Sequence, residues 1–303
     1  MAHAVGALAE NSRRSGNARK SEHGGGSLST SRYQPSPFIR GSLLLHAGAA
    51  AAAAAWPELW KVSTLAVAGN HAALTTFGLI PRSSILGNNI TRLPDTVSNQ
   101  SAVAITIDDG PHPVATPKVL DILDEYSAKA TFFCIGEKVL NCPDIAQEIV
   151  RRGHRIENHS MHHSHTFSIP FIGRLRSEVI AAQDAIFKTT GQLPRFFRAP
   201  AGLRNFLLDR VLQHSDLQLA SWTRRGFDTV DIDAEMIVKR LVTELKPRDI
   251  LLLHDRPAMA QKVGRKFPAT VPILDALPLV LQSLRAHALS AVTLHEAIPP
   301  VSA

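Results

Sequence analysis

Cysteine is scarce. The 303-residue chain has two, Cys134 and Cys142, and no C-x-x-C pair. That excludes a disulfide framework. Cys134 lies inside the apolar run TFFCIG and reads as a small buried hydrophobe rather than a ligand or nucleophile. A dinucleotide fingerprint is also missing. No G-x-G-x-x-G follows a strand pattern, and the one glycine cluster, GGG at 24–26, lies in the polar front of the chain. The third absence concerns charge. A formal net charge of +7 suggests an anionic partner, yet much of the excess sits in residues 1–41, with six Arg and Lys against two Glu. No stripe of basic and aromatic residues follows, so nucleic acid is not an expected partner.

What is present begins with two contrasting segments. Residues 1–41 are rich in Ser, Gly and Arg with almost nothing to bury, and read as a disordered basic tail. Residues 42–98 form a hydrophobic segment with two runs, SLLLHAGAAAAAAAW and VSTLAVAGNHAALTTFGLIP. The first is short for a bilayer and resembles a signal-peptide core. The second is about long enough to span, but carries Asn70 and His71 near its middle. A membrane hairpin or anchor through residues 42–80, behind a tail obeying the positive-inside bias, is the preferred reading. Two helices capping a soluble domain are the alternative.

From residue 99 to 303 the pattern alternates between strand and helix. AVAITI (102–107) is a continuous apolar, β-branched run suited to a strand buried on both faces. TPKVLDILDEYS follows as a helix, with Thr116 expected as N-cap and Pro117 at the first helical position. Five further strand patterns alternate with helices, and LSAVTLHE (289–296) closes the series as a seventh strand. Repeated β-then-α units call for parallel strands with right-handed crossovers, closing into a barrel in preference to an open dinucleotide-binding sheet.

Polar residues collect where these strands end: Asp108 and Asp109, His159, Arg198, Trp222 with Asp228 just beyond, and His254 with Asp255. A parallel barrel delivers all of them to one face, where such folds place their chemistry. Adjacent carboxylates in TIDDG allow one to bind a cation while the other serves as base, although strand alternation points them apart. ENHSMHHSHTF holds His159, His162, His163 and His165, and spacing alone accepts His159 with either His162 or His163. One carboxylate plus two imidazoles leaves open positions for water and substrate, as catalytic metal sites do. Taken singly, each motif has a plain reading as a turn or a solvated loop.

Taken in order, TIDDG, HSMHH, RAPAG and LLLHD resemble the motifs of the polysaccharide deacetylases with a NodB-homology domain, carbohydrate esterase family 4. The resemblance runs from about residue 102 to 296. It implies an α/β fold, a distorted (β/α)7 barrel, and one divalent metal ion, usually zinc. It also implies Asp109, His159 and His163 as ligands, with His162 and His165 as bystanders. Asp108 would be the base, His254 the acid, and Arg198 the partner that tunes Asp108. The RAPAG loop, Pro200, Ala201 and Gly202, would supply a backbone oxyanion donor at Ala201, and Trp222 a groove wall. The reaction implied is hydrolysis of N-acetyl groups from an N-acetylglucosamine-containing glycan or oligosaccharide, in the cell envelope.

Two departures stand out. Ala201 occupies a position often aromatic in the family. SWTRRGFDT keeps Trp222 and offers Asp228 to orient His254, but has Arg225 and Thr229 where many members carry Asp and Trp. The groove wall is altered while the metal and base positions are not. Alternatives are an amidase or deformylase acting on a non-glycan or lipid-linked amide, and a non-catalytic glycan-binding member.

Overall fold

The computed structural model describes residues 33–169, 171–230, 232–257 and 271–300. Most of the expected tail, residues 1–32, lies outside them. The last part of that tail is helical: α1 spans Pro37–Ala55, because Ser36 accepts the Ile39 N–H as N-cap and Pro37 occupies the first turn. This upstream start lengthens the first hydrophobic run to 19 residues. Among the described residues α1 is the one helix long and apolar enough to cross a membrane, a property expected instead of the second run. The second run forms α2 (Trp60–Gly78), packed against α1 in a hairpin.

The alternating β/α part follows as β1 (Ala102–Gly110), α3 (Ala115–Glu125), β2 (Thr131–Cys134), α4 (Gly136–Asn141), α5 (Pro143–Arg151), β3 (Arg155–Asn158) and α6 (Ile172–Thr190). Then come β4 (Phe196–Phe197), α7 (Leu208–His214), β5 (Gln218–Leu219), β6 (Arg224–Arg225), α8 (Ala234–Val242), β7 (Ile250–His254), α9 (Ile273–Ala286), β8 (Ser290–Val292) and α10 (Leu294–Ala297). The sheet order is β5-β4-β3-β2-β1-β7-β6, with β8 added on β1 and every pair parallel. It is a curled half-barrel wrapped by helices.

All nine residues of β1 are buried. Their alternation sorts the two sides of the sheet. Val103, Ile105 and Ile107 pack with Val119, Leu120 and Leu123 of α3 and Leu277 and Val280 of α9. Ala102 and Ala104 turn inward to Phe133, Phe196, Leu252 and Leu294.

Three local expectations change. Thr116 does not cap α3, which begins one residue earlier; its hydroxyl accepts the His112 N–H and donates to the Asp255 carboxylate. The last expected strand stops at Val292, because Thr293 and Glu296 form a capping box that opens α10. The pair Arg224–Arg225 forms β6 beside β7 without any apolar pattern to announce it.

Below the strands, α10 is locked to the sheet by Glu157. This fully buried carboxylate accepts the Arg195 and Phe196 N–H groups at 2.8 and 2.7 Å and pairs with His295 Nε2 at 2.5 Å. Glu157→Ala strands the buried Phe196 N–H and the half-buried Arg195 N–H, and should lower unfolding free energy in urea by about 3 kcal/mol. Glu157→Gln, which keeps an acceptor, should lose less.

Candidate active site

The mouth is formed by the C-terminal ends of the parallel strands. On β1 the pairing with β2 slips between Asp108 and Gly110, and Asp109 takes a left-handed φ of 72°. This irregularity cancels the alternation that would send the two carboxylates to opposite faces. Both instead approach one imidazole: His159 Nε2 lies 3.8 Å from Asp108 Oδ2 and 3.5 Å from Asp109 Oδ1.

The histidines sit on the loop after β3, not on a helix. Asn158 Oδ1 accepts the Ser160 N–H and Ser160 Oγ accepts the His163 N–H, with Ser160 and His163 at positive φ of 62° and 50°. That turn brings the His159 and His163 rings to a centroid separation of 4.9 Å, and His163 Nε2 to 3.2 Å from Asp109 Oδ1. His162 faces away, more than half exposed, with its Nδ1 on Glu178 at 2.8 Å. His165 is exposed as well.

His159 Nδ1 lies 2.8 Å from the Arg198 carbonyl, so Nδ1 carries the proton and Nε2 presents its lone pair to the carboxylates. Burial and the neighbouring His159 lower the His163 pKa to about 4, which keeps that ring neutral. Burial would raise the Asp109 pKa, but the surrounding imidazoles of His159, His254 and His163 outweigh it and hold the carboxylate ionised.

Arg198 is buried to 1 % exposure. Its guanidinium donates to Asp108 Oδ1 at 2.7 Å, Thr106 Oγ1 at 2.8 Å and the carbonyls of Ala220 and Ser221 at 3.1 and 2.7 Å. It also stacks 4.0 Å from the Phe133 ring centroid. Across the mouth, His254 is the β7 partner of Asp108 in the ladder. Asp228 accepts both the His254 backbone N–H at 2.7 Å and its Nδ1–H at 2.9 Å. Burial pulls the His254 pKa down, but the bond to Asp228 and the nearby carboxylates reverse this and raise it.

The RAPAG loop follows β4. Pro200 and Gly202 are buried while Ala201 is exposed at φ 55°. Gly202 is required: a Cβ there would lie 2.7 Å from both Pro81 and the Trp222 ring. Trp222 itself is 8 % exposed, with Arg225 over its ring at 5.6 Å. Arg225 therefore replaces an expected carboxylate with a cation stacked on Trp222.

Asp109 Oδ1 is buried and has no hydrogen-bond partner, an atom left for a cation to claim. Asp109, His159 and His163 offer three donor atoms within 4.8 Å of one another. The two separations from Asp109 Oδ1, 3.5 and 3.2 Å, match the roughly 3.3 Å between ligands of a tetrahedral zinc site. The donor set fits a divalent ion.

Two neighbours had no role from motif reading. Arg256, two residues past His254, places Nε 2.7 Å from Asp109 Oδ2. Lys138 on α4 donates to the Asp109 carbonyl at 2.7 Å. Adjacency to LLLHD was the only signal for Arg256, and Lys138 had none. Asp255, noted only as a strand-end residue, is fully buried with its pKa raised by burial to about 6.

The polysaccharide deacetylase family model matches residues 95–220. A peptidoglycan-N-acetylglucosamine deacetylase of Bacillus cereus is 36% identical over 160 residues, 52% of this chain and 74% of that protein. The chain belongs to the polysaccharide deacetylase family. A chitooligosaccharide deacetylase of Bradyrhizobium sp. is 34% identical over 165 residues, 52% of this chain and 73% of that one. The solved peptidoglycan deacetylase PdaC from Bacillus subtilis superposes with a TM-score of 0.57 at 26% identity, covering 67% of this chain and 93% of that one. This polysaccharide deacetylase is accordingly a hydrolase of the N-deacetylase class. The family match ends before Asp228 and His254, so the pairing of these two is a contribution of the fold.

His163→Ala should abolish zinc binding in titration calorimetry, and His162→Ala should leave it unchanged. Arg256→Ala, which removes a cation competing for Asp109, should tighten zinc binding by about tenfold.

Proposed function

We propose that the protein hydrolyses the N-acetyl group of N-acetylglucosamine residues in an envelope glycan, releasing acetate and a free amino sugar. The observation that carries this reading is the unpartnered Asp109 Oδ1 between two imidazoles, with Asp108 and His254 on neighbouring strands beside it. Asp109, His159 and His163 would hold a divalent ion, zinc by the donor set. Bound there, it supplies Lewis acidity to water and to the amide carbonyl.

The remaining work falls to the chain's own groups. Asp108, positioned by its ion pair with Arg198, removes the proton from the attacking water. The backbone N–H of Ala201, on a loop anchored by Pro200 and Gly202, meets the developing oxyanion. His254, kept protonated by Asp228, donates its proton to the departing amine. Trp222 with Arg225 lines one wall of the sugar groove. The chemistry named for the Bacillus cereus and Bradyrhizobium relatives supports an N-acetylglucosamine substrate, and the peptidoglycan relatives support a place in the cell envelope.

Acetate release from chitooligosaccharides should fall by about 10²–10⁴ in Asp108→Asn, with zinc content unchanged. Activity unaffected by that change would remove the base. Because the folded-state pKa of His254 is raised, its protonated form persists to higher pH, and activity should decline only above that pKa. Asp228→Asn leaves burial as the main influence, so the alkaline limb of the pH–rate profile should move to lower pH.

A further inference from the structure

The α1–α2 hairpin packs apolar Ile39, Leu74 and Phe77 only at its stem, against Leu86; beyond that it is built inside out relative to a soluble helix pair. Its shielded seam carries Ser42, His46, Ala49 and Ala53 from α1, and Ser63, Val67, Asn70 and Ala73 from α2. Ser42, His46 and Asn70 of the seam find their partners within the hairpin. Asn70 donates to Ser42 Oγ at 2.7 Å, His46 Nδ1 meets the Ser42 carbonyl at 2.7 Å, and the His46 and His71 Nε2 atoms pair at 3.2 Å. Thr64 and Thr76 return their hydroxyls to their own helix. Outward, Leu43, Leu44, Val62 and Leu65 are 62–74 % exposed, and Trp56 and Trp60 at the tip are each 57 % exposed. Water offers nothing to this exterior, whereas hydrocarbon demands internally satisfied polar groups and an apolar outside.

Length and charge agree. Nineteen residues in each helix rise about 28 Å, close to the ~30 Å of a bilayer core; α1 alone is apolar enough to span by itself, and α2 places its Asn70 against Ser42 of α1. Paired tryptophans at the turn suit a membrane interface. The other end of the hairpin is basic. Arg40 lies in the first turn of α1 and Arg82 just past α2, and the preceding residues add an excess of Arg and Lys, a complement to anionic headgroups.

The stem of the hairpin is fused to the catalytic mouth. Arg204 donates its N–H to the Gly78 carbonyl at 3.1 Å, and Ser221 Oγ donates to the Pro81 carbonyl at 2.8 Å. Arg82 donates to the Thr223 carbonyl at 2.9 Å, and Pro81 fills the space facing Gly202 and Trp222. These are the loops at the C-terminal ends of β4 and β5, beside the RAPAG turn. We propose that the hairpin inserts into a bilayer rich in anionic lipid and holds the catalytic mouth at its surface, so that the substrate is a membrane-anchored N-acetyl sugar. The substrate clause rests on the deacetylase reading; the insertion does not.

The test is flotation of the full-length protein with phosphatidylcholine vesicles, with and without phosphatidylglycerol, beside the double variant Leu44→Glu/Leu65→Glu. Both positions are 74 % exposed and remote from the mouth, so the fold and soluble chitooligosaccharide cleavage should persist in the variant. The wild type should float, more completely with the anionic lipid, and the variant should lose at least about 100-fold in partitioning. A lipid-linked N-acetylglucosamine in the same vesicles should be deacetylated far faster by the wild type than by the variant. A wild type that stays with the soluble fraction, or a variant that floats equally well, overturns the insertion. The same holds if the wild type forms a dimer that the two glutamates dissolve without any vesicle binding. Flotation with equal cleavage of the lipid-linked sugar by both proteins overturns the substrate clause. Flotation with no activity on any N-acyl sugar upholds insertion and removes the deacetylase reading.

Discussion

The buried guanidinium of Arg198 is the interaction on which the site depends. Its side chain ties Asp108 and Thr106 on β1 to the backbone that follows β5, and its carbonyl orients His159 on the loop after β3. Two of the groups proposed for catalysis and metal binding therefore share one anchor. A charge so enclosed persists only because its counter-ion and acceptors are in place, and breaking such a pair costs about 3–5 kcal/mol. Folding and assembly of the mouth are thus the same event around this residue.

Around that anchor, the site is built from backbone conformations that side chains rarely adopt. Asp109, Ser160, His163 and Ala201 all have positive φ. Each would strain an isolated peptide, and each is held by its surroundings. The slip at Asp109 turns both carboxylates to one mouth, and the turn at Ser160 to His163 folds a four-residue spacing back on itself. Opposite them, Asp228 bonds to both the backbone and the ring of His254, fixing its position and its proton together.

The surroundings of Trp222 follow the same logic. Arg225, Trp222 and Phe227 stack in sequence, with Arg225 over both rings at 5.6 and 5.0 Å. Beside them Pro81 closes against Gly202 and Trp222, so a segment that begins as an apolar hairpin ends as part of the rim of the strand-end mouth. The front of the chain is structurally continuous with the mouth it precedes.

Strand and helix periodicity alone announced a parallel sheet wrapped by helices, since buried strands read as unbroken apolar runs such as AVAITI. Strand ends carrying Asp109, His159, Arg198 and His254 marked the mouth, because a parallel sheet sends all such ends to one face. Other features were not legible. Arg224–Arg225 became a strand through pairing with β7, and Thr116 left its capping role for Asp255, a residue 139 positions away. Arg256 and Lys138 reached Asp109 only through chain crossings that no local pattern encodes. Periodicity and motif order are local properties, and they determined the sheet and the candidate chemistry. Which atoms meet, which carboxylate oxygen is left unpartnered and how the hairpin joins the mouth are long-range properties, decided only when the backbone closes around Arg198.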